Sequence, residues 1–292
     1  MKLAISGATT MKADLWQDLD AAQAAGFDAV ELWAEKLDRA AAERGIEEVR
    51  RAIDERGLQV SAISALERIT FRTPAEEEQL KERCRQLADH ARRIGCPNLL
   101  AVPGPAPAGV KPADLAHETA RVLTDLSDIA GRQVNLAFEF GGGAELSVRT
   151  LEQAAAAVDF CGRINVGLAI DCFRLFSGGS DASLIARLRP ERIFVVQLSD
   201  AEDRPREELR DEMRLLPGTG ALPLDEMLGA LKQIGYDSAI SVELLRPEYW
   251  ERDPAELARE CRARALDVLG KAGFVDAAAD PGDESDQGDE LR

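Results

Sequence analysis

The chain has 292 residues, of which 45% are hydrophobic and 30% charged, and its formal net charge is −17 with a pI of about 4.7. This composition is typical of a globular protein with a large core, and the acidic surface disfavours nucleic acid as a partner because it repels phosphate groups. No apolar run approaches the roughly 20 residues of a membrane-spanning helix. A strand is predicted directly after Met1, so we expect no signal peptide and a cytoplasmic protein without a membrane partner. The five cysteines are scattered, which is typical of buried thiols in a reducing compartment: Cys84, Cys96, Cys161, Cys172 and Cys261.

The first half of the chain predicts four strands, each followed by a helix. The strands are expected at residues 3–5, 29–33, 60–64 and 98–102. The helices are expected at residues 12–25, 45–55, 73–94 and 112–130. The third helix has the clearest start, because Thr73 is a good N-cap, Pro74 suits the first helical position and Glu76 completes a capping box.

The second half repeats this alternation four times. Strands are expected at residues 134–140, 166–171, 193–197 and 239–243. Helices are expected at residues 147–158, 181–188, 224–234 and 253–272, with a long charged loop before residue 220. Strict alternation predicts parallel strands joined by crossover helices, and eight such units predict an α/β fold, a closed (β/α)8 TIM barrel forming a single domain over residues 1–272. The alternative is an open doubly wound sheet, but no strand is followed by a glycine-rich phosphate fingerprint. Residues 273–292 are expected to form an acidic disordered tail.

The last four predicted strands each end on an oxygen-bearing side chain: Glu139, Asp171, Gln197 and Glu243. A carboxylate in an apolar strand costs several kcal/mol to desolvate unless it is paired or binds a cation. In a barrel these strand ends share one mouth, where three carboxylates would repel unless a cation lay among them. Oxygen ligands favour Mg²⁺ or Mn²⁺ over Zn²⁺, so the pattern predicts such a metal site. The alternative is that each side chain pairs with an arginine or caps a helix. His90 and His117 fall in predicted helices and are expected outside the site.

Five segments in order resemble the xylose isomerase-like barrel superfamily, the group of sugar phosphate isomerases and epimerases: residues 26–33, 138–139, 171–173, 196–200 and 217–220. The resemblance covers about residues 1–272. The family's metal ligands are Glu, Asp, His and Glu on strands five to eight, and the resemblance places them at Glu139, Asp171, Gln197 and Glu243.

The chain departs from the family pattern at two positions. Gln197 replaces the usual histidine ligand, although an amide oxygen can still bind a hard cation, and 3-dehydroshikimate dehydratases of this superfamily look similar there. Arg174 stands where the family often has a substrate-binding histidine; it would suit a carboxylate or phosphate but could not shuttle protons, and a surface salt bridge is its alternative role. Arg214 resembles a substrate-binding arginine or is a solvated loop residue. Trp33 would line the pocket or the core, and Asp200 would support a ligand or cap a helix.

The resemblance implies a metal-dependent sugar isomerase or epimerase that acts on a small polyhydroxy carbonyl compound through a metal-stabilised enediolate. Glu139 and Glu243 would then be the catalytic acid and base on opposite faces of the substrate. The alternative is a metal-dependent lyase of the 3-dehydroshikimate dehydratase type. A DNA-repair endonuclease is disfavoured by the acidic charge and by the presence of only two histidines, and a sugar-binding barrel without activity is a fourth hypothesis. The substrate's phosphorylation and a homo-oligomeric state are left open.

Overall fold

Eight parallel strands close into a barrel in the computed structural model, which describes residues 1–275. The barrel strands are β1 (Lys2–Ser6), β2 (Ala29–Trp33), β3 (Gln59–Leu66), β4 (Asn98–Ala101), β5 (Asn135–Glu139), β6 (Val166–Asp171), β7 (Ile193–Leu198) and β10 (Ala239–Val242). Around the ring they follow the order β1-β10-β7-β6-β5-β4-β3-β2, so the predicted TIM barrel is confirmed. Most of the predicted acidic tail, residues 276–292, lies outside the described part of the chain.

The segments between and after the strands form helices, and the longer ones surround the barrel. They are α1 (Leu15–Ala25), α2 (Ala34–Arg44), α3 (Ile46–Glu55), α4 (Pro74–Ile94), α5 (Pro112–Ala130), α6 (Leu151–Cys161), α7 (Cys172–Ser177), α8 (Leu224–Gln233), α9 (Pro247–Trp250) and α10 (Pro254–Lys271). Capping boxes begin α1 at Asp14 and α4 at Thr73, as the residue types there favour.

Several predicted helices differ from the observed ones. The helix expected at 147–158 begins only at Leu151, because Thr150 is its N-cap and the amide of Ser147 donates to the carbonyl of Gly104. The helix expected at 181–188 is a 3₁₀ helix, Ala182–Arg187. Helix α2 was not predicted; it follows β2 directly, and its N-cap residue Trp33 makes no side-chain cap hydrogen bond. The long charged loop contains a short antiparallel pair, β8 (Asp200–Ala201) with β9 (Arg214–Leu215).

A layer of small side chains lies one step below the C-terminal end of the barrel. Ala62, Ala137, Ala169, Val195 and Ser241 are each fully buried. Since side chains of a strand alternate between its two faces, the residues two positions further along point the same way, into the mouth. These are Ser64, Glu139, Asp171, Gln197 and Glu243. The small layer therefore leaves room for a polar layer above it.

The described residues include no helix long and apolar enough to cross a membrane. All five cysteines are free, and only Cys161 is partly exposed.

Candidate active site

The four predicted strand-end side chains meet at one mouth of the barrel, and contacts link three of them. Gln197 Nε2 lies 3.1 Å from Glu243 Oε1. Arg214 bridges two more, with Nη2 at 2.6 Å from Asp171 Oδ2 and Nη1 at 3.7 Å from Glu243 Oε2. Glu139 is joined to the group through Arg174, whose Nε lies 3.7 Å from Glu139 Oε1. The residues that the sequence singled out thus form one buried polar cluster.

Gln197 is held by a carboxylate that the sequence interpretation did not assign. Its Nε2 donates to Glu31 Oε1 at 2.9 Å, and the hydroxyl of Ser64 donates to the same oxygen. Glu31 is fully buried near the end of β2. Its signal was visible, because a glutamate in the apolar strand Ala29–Trp33 is as unusual as Glu139 in β5. Gln197 Oε1 is buried and has no hydrogen-bond partner within residues 1–275.

Arg214 is fully buried and lies among carboxylates, which excludes a solvated loop arginine. Besides Asp171 and Glu243 it contacts Asp211 Oδ1 at 3.1 Å, and its guanidinium stacks 4.5 Å from the ring centre of Phe173. It is absent from the lining of the cavity described below, so a substrate contact by Arg214 stays a prediction.

Arg174 lies at the start of α7 beside the site. Its Nη2 is 2.9 Å from Asp211, so Asp211 joins both arginines and is a second residue that sequence reasoning missed. Asp171 fixes this helix as its N-cap, since Oδ1 accepts from the amides of Phe173 at 2.6 Å and Arg174 at 3.2 Å. Asp171 therefore combines a helix-capping role with its place in the cluster.

Carboxyl groups outnumber guanidinium groups in this cluster. Five carboxyl groups face two guanidinium groups: Glu31, Glu139, Asp171, Asp211 and Glu243 against Arg174 and Arg214. Burial, and next the charge of Asp171, raises the pKa of Glu139 to about 8. Burial also raises the pKa of Glu243 well above its ordinary value, and it raises the pKa of Glu31 against the hydrogen bonds that Glu31 accepts. These groups favour a proton or a cation nearby.

The donor set fits a hard divalent cation on two observations. The buried Gln197 oxygen has no hydrogen-bond partner within residues 1–275, and carboxyl groups outnumber guanidinium groups around it. As the side chains stand, no group of three His, Cys, Asp or Glu within residues 1–275 is arranged to hold a metal, since Arg214 and the Gln197 amide contact the carboxylate oxygens. The metal ligands therefore remain a prediction.

The cluster opens into a cavity of about 730 Å³ at the C-terminal mouth. Trp33, Glu139, Arg174, Gln197 and Glu243 all contribute to its lining. Of the two positions predicted for Trp33, the pocket and the core, the structure shows the pocket.

Three other predicted residues lie away from the cavity. Asp200 neither supports the cluster nor caps a helix: it accepts hydrogen bonds from the amides of Ala201, Gly220 and Leu222 and so holds the turn before α8. His90 and His117 lie on the outer helices α4 and α5, as predicted.

The chain is similar to a known family and to several known proteins. A family model described as xylose isomerase-like TIM barrel matches residues 19–267. The inosose isomerase of Halalkalibacterium halodurans is 32% identical over 274 residues, which cover 93% of this chain and 97% of that protein. A crystal structure of IOLI protein with a bound zinc atom has a TM-score of 0.90 and 30% identity, covering 93% of this chain and 99% of the other. The 3-dehydroshikimate dehydratase of Pseudomonas aeruginosa is 27% identical over 265 residues, which are 89% of this chain but 39% of that protein.

Proposed function

Because the chain belongs to the xylose isomerase-like TIM barrel family, we propose that it is a divalent-metal-dependent isomerase of a small polyhydroxy carbonyl compound. The chain is an enzyme, a sugar isomerase, like the inosose isomerases that share about a third of its residues. Inososes are therefore the first substrates to test. The observation that carries the metal and mechanism is the placement of two buried glutamates, Glu139 and Glu243, at one cavity.

Glu139, Asp171, Gln197 and Glu243 would hold the cation through oxygen atoms. A divalent ion bound there would polarise the substrate carbonyl and favour the ionised form of the carboxyl groups that hold it. Three carboxylates and one amide oxygen favour Mn²⁺ or Mg²⁺ as the metal of this chain. The zinc atom in the related crystal structure belongs to a different protein and does not identify the metal here.

The two glutamates approach the cavity from separate sides of the ring. Strand β5 and strand β10 are separated by β6 and β7 on one side and by four strands on the other. One carboxylate can therefore remove a proton from the carbon beside the carbonyl, giving an enediolate, while the other carboxyl group returns a proton from another side.

The test is the exchange of substrate hydrogen with solvent deuterium. Mn²⁺-loaded protein is incubated with an inosose in D₂O, and loss of the proton beside the carbonyl is followed by NMR. We expect Glu243→Gln to slow exchange and turnover by roughly 10³-fold, since one proton-transfer group is removed. Glu248→Gln, an exposed glutamate on α9, is the matched control and should keep full activity. Wild-type exchange in a folded Glu243→Gln protein would remove the proposed mechanism.

A dehydratase of 3-dehydroshikimate is the second candidate, and Arg174 is the observation that favours it. Its guanidinium lines the cavity near Glu139 and could hold a substrate carboxylate. Incubation with 3-dehydroshikimate and Mn²⁺ would produce an aromatic product with a new ultraviolet absorbance. A flat spectrum would exclude this activity.

A further inference from the structure

Three arginines besides Arg174 line the active-site cavity: Arg149, Arg206 and Arg210, which we call the arginine cluster. Within residues 1–275, none of the three has a carboxylate oxygen within 4.0 Å of its guanidinium. Arg149 is the most telling member, because its Nε is buried without a hydrogen-bond partner among the described residues. A buried donor left unpaired costs free energy, which a ligand would recover.

The cluster is brought together around α7 and the glycine after it. The Arg206 guanidinium stacks 4.4 Å from the ring centre of Phe176. Arg210 precedes Asp211, which is tied to Arg174 at 2.9 Å. The backbone of Arg149 packs so closely on Gly178 that a Cβ there would collide with the Arg149 carbonyl oxygen. Arginines from two separate loops thus surround the same short helix.

The acids that line the cavity do not neutralise these arginines. Glu139 and Glu243 are buried and Asp211 is half-buried, and each of them contacts Arg174 or Arg214. Glu67, Glu145 and Glu207 also line the cavity and are exposed, and none of them comes within 4.0 Å of Arg149, Arg206 or Arg210 in the described chain. Within residues 1–275 the arginine cluster thus has no carboxylate partner, although Arg210 Nη1 donates to the backbone carbonyls of Glu207 and Leu209, each at 2.8 Å.

We propose that the arginine cluster binds an anionic group of the substrate, so that the enzyme acts on an acidic sugar carrying a carboxylate or a phosphate. This inference rests on the proposed function, since it names the substrate class of the same site. Guanidinium groups bind both anions through paired charge-assisted hydrogen bonds. The carboxylates of the buried cluster would repel the anion, so the substrate would bind with its carbonyl end toward Glu139 and Glu243 and its anionic end toward the arginines.

The test compares three probes with the same carbon skeleton: D-fructose, D-fructose 6-phosphate and D-fructuronate. Titration calorimetry on Mn²⁺-loaded protein should show at least one acidic probe binding roughly tenfold more tightly than fructose. High salt should reduce this preference, because it screens partly exposed charges. The phosphate probe binding best would identify a sugar phosphate, and the carboxylate probe binding best would identify a sugar acid.

Variants separate this subsite from general effects on binding. Arg149→Gln and Arg210→Gln should each reduce the ratio of acidic-probe to fructose affinity by roughly tenfold, and Arg149→Lys should restore part of it if charge is the cause. Arg264→Gln, an exposed arginine on α10 outside the cavity, is the matched control and should leave the ratio unchanged.

The proposal is overturned if neither acidic probe nor inorganic phosphate binds more tightly than fructose, or if the arginine variants leave the ratio unchanged. The binding measurement does not depend on turnover, so the two proposals can fail separately. If the protein isomerises an inosose but shows no preference for anions, only the anion subsite is refuted. If it binds anions but turns over no inosose, only the proposed function is refuted.

Discussion

Two buried ionic groups of this barrel differ in how completely their charges are matched. Beside the loop that follows β1, the Lys36 ammonium donates to Asp18 Oδ2 at 2.8 Å and to the carbonyls of Gly7 at 2.9 Å and Thr10 at 2.8 Å. This pair therefore satisfies every donor of the ammonium. The cluster at the mouth has more carboxyl groups than guanidinium groups, and among the described residues the Gln197 oxygen has no hydrogen-bond partner.

The difference separates a structural pair from a site prepared for a ligand. A buried pair with all its hydrogen bonds ties α2 to the loop after β1 and has nothing left to bind. A buried group with surplus charge is destabilising by itself and is retained where a ligand compensates for it. Variants of the two groups should accordingly act on different properties, stability for the pair and ligand binding for the cluster.

The largest effect on stability is expected from Asp18→Asn. It leaves the Lys36 ammonium buried without its counter-charge, which costs roughly 3–5 kcal/mol. Urea unfolding should show a lower midpoint with an unchanged slope. Asp20→Asn is the matched control on the same helix, because Asp20 is 64% exposed and its pair with Arg56 contributes roughly 1 kcal/mol or less. A loss below about 1 kcal/mol in Asp18→Asn would show that the pair is not what ties this region together.

An opposite effect is expected from Glu139→Gln in the metal-free protein. Burial raises the pKa of Glu139 from 4.5 to about 8, so between these pH values the folded state binds more protons than the unfolded state. The free energy of unfolding therefore falls as pH rises through this window, by at most about 5 kcal/mol. Glutamine does not titrate, so we expect the variant to be more stable than the wild type by roughly 2 kcal/mol at pH 8 and similar to it at pH 5.

The measurement is urea unfolding at both pH values in the presence of a chelator. Glu145→Gln, an exposed glutamate in the loop after β5, serves as the control and should show no such pH-dependent difference. If Glu139→Gln differed from the wild type by the same amount at pH 5 and pH 8, the surplus charge would not be the source of the instability.

The barrel could be predicted from the sequence because its signals are local. Each strand is a short apolar run, and each following helix is marked by an N-cap or a closing glycine, as at Thr73 and Gly95. Helix α2 was missed because it follows β2 without a side-chain cap, and α7 because its six residues are too few to show a helical period. Asp171 was predicted as a metal ligand, with an arginine partner or a helix cap as the alternative, and the structure shows both the pair with Arg214 and the cap of α7.

Only those residues of the site that lie at the ends of strands could be predicted from the sequence. Glu139, Asp171, Gln197 and Glu243 were found because polar residues at the ends of apolar strands are conspicuous. Their pairings were not found, since a contact between residues distant in the chain leaves no local pattern: Gln197 donates to Glu31, 166 positions away. The burial of Arg214 was equally hidden, because its loop is rich in charged residues and looks solvated in the sequence.

The smallest effect that we predict concerns metal preference. Gln197→His should raise the affinity for Zn²⁺ relative to Mn²⁺ by roughly tenfold, because imidazole binds zinc well whereas an amide oxygen favours harder cations. Competition between the two metals, followed by elemental analysis of the protein, measures this ratio. Gln197→Leu provides the control, since it removes the oxygen without adding a nitrogen ligand and should weaken the binding of both metals.

The effect should also depend on Glu31, which now accepts a hydrogen bond from the Gln197 amide at 2.9 Å. A carboxylate that accepts from the second nitrogen of a histidine orients the ring and strengthens its bond to the metal. Adding Glu31→Gln to Gln197→His should therefore remove most of the zinc preference. If the double variant kept the full preference, Glu31 would not orient residue 197, and the surplus carboxylate on β2 would have to act on the site in another way.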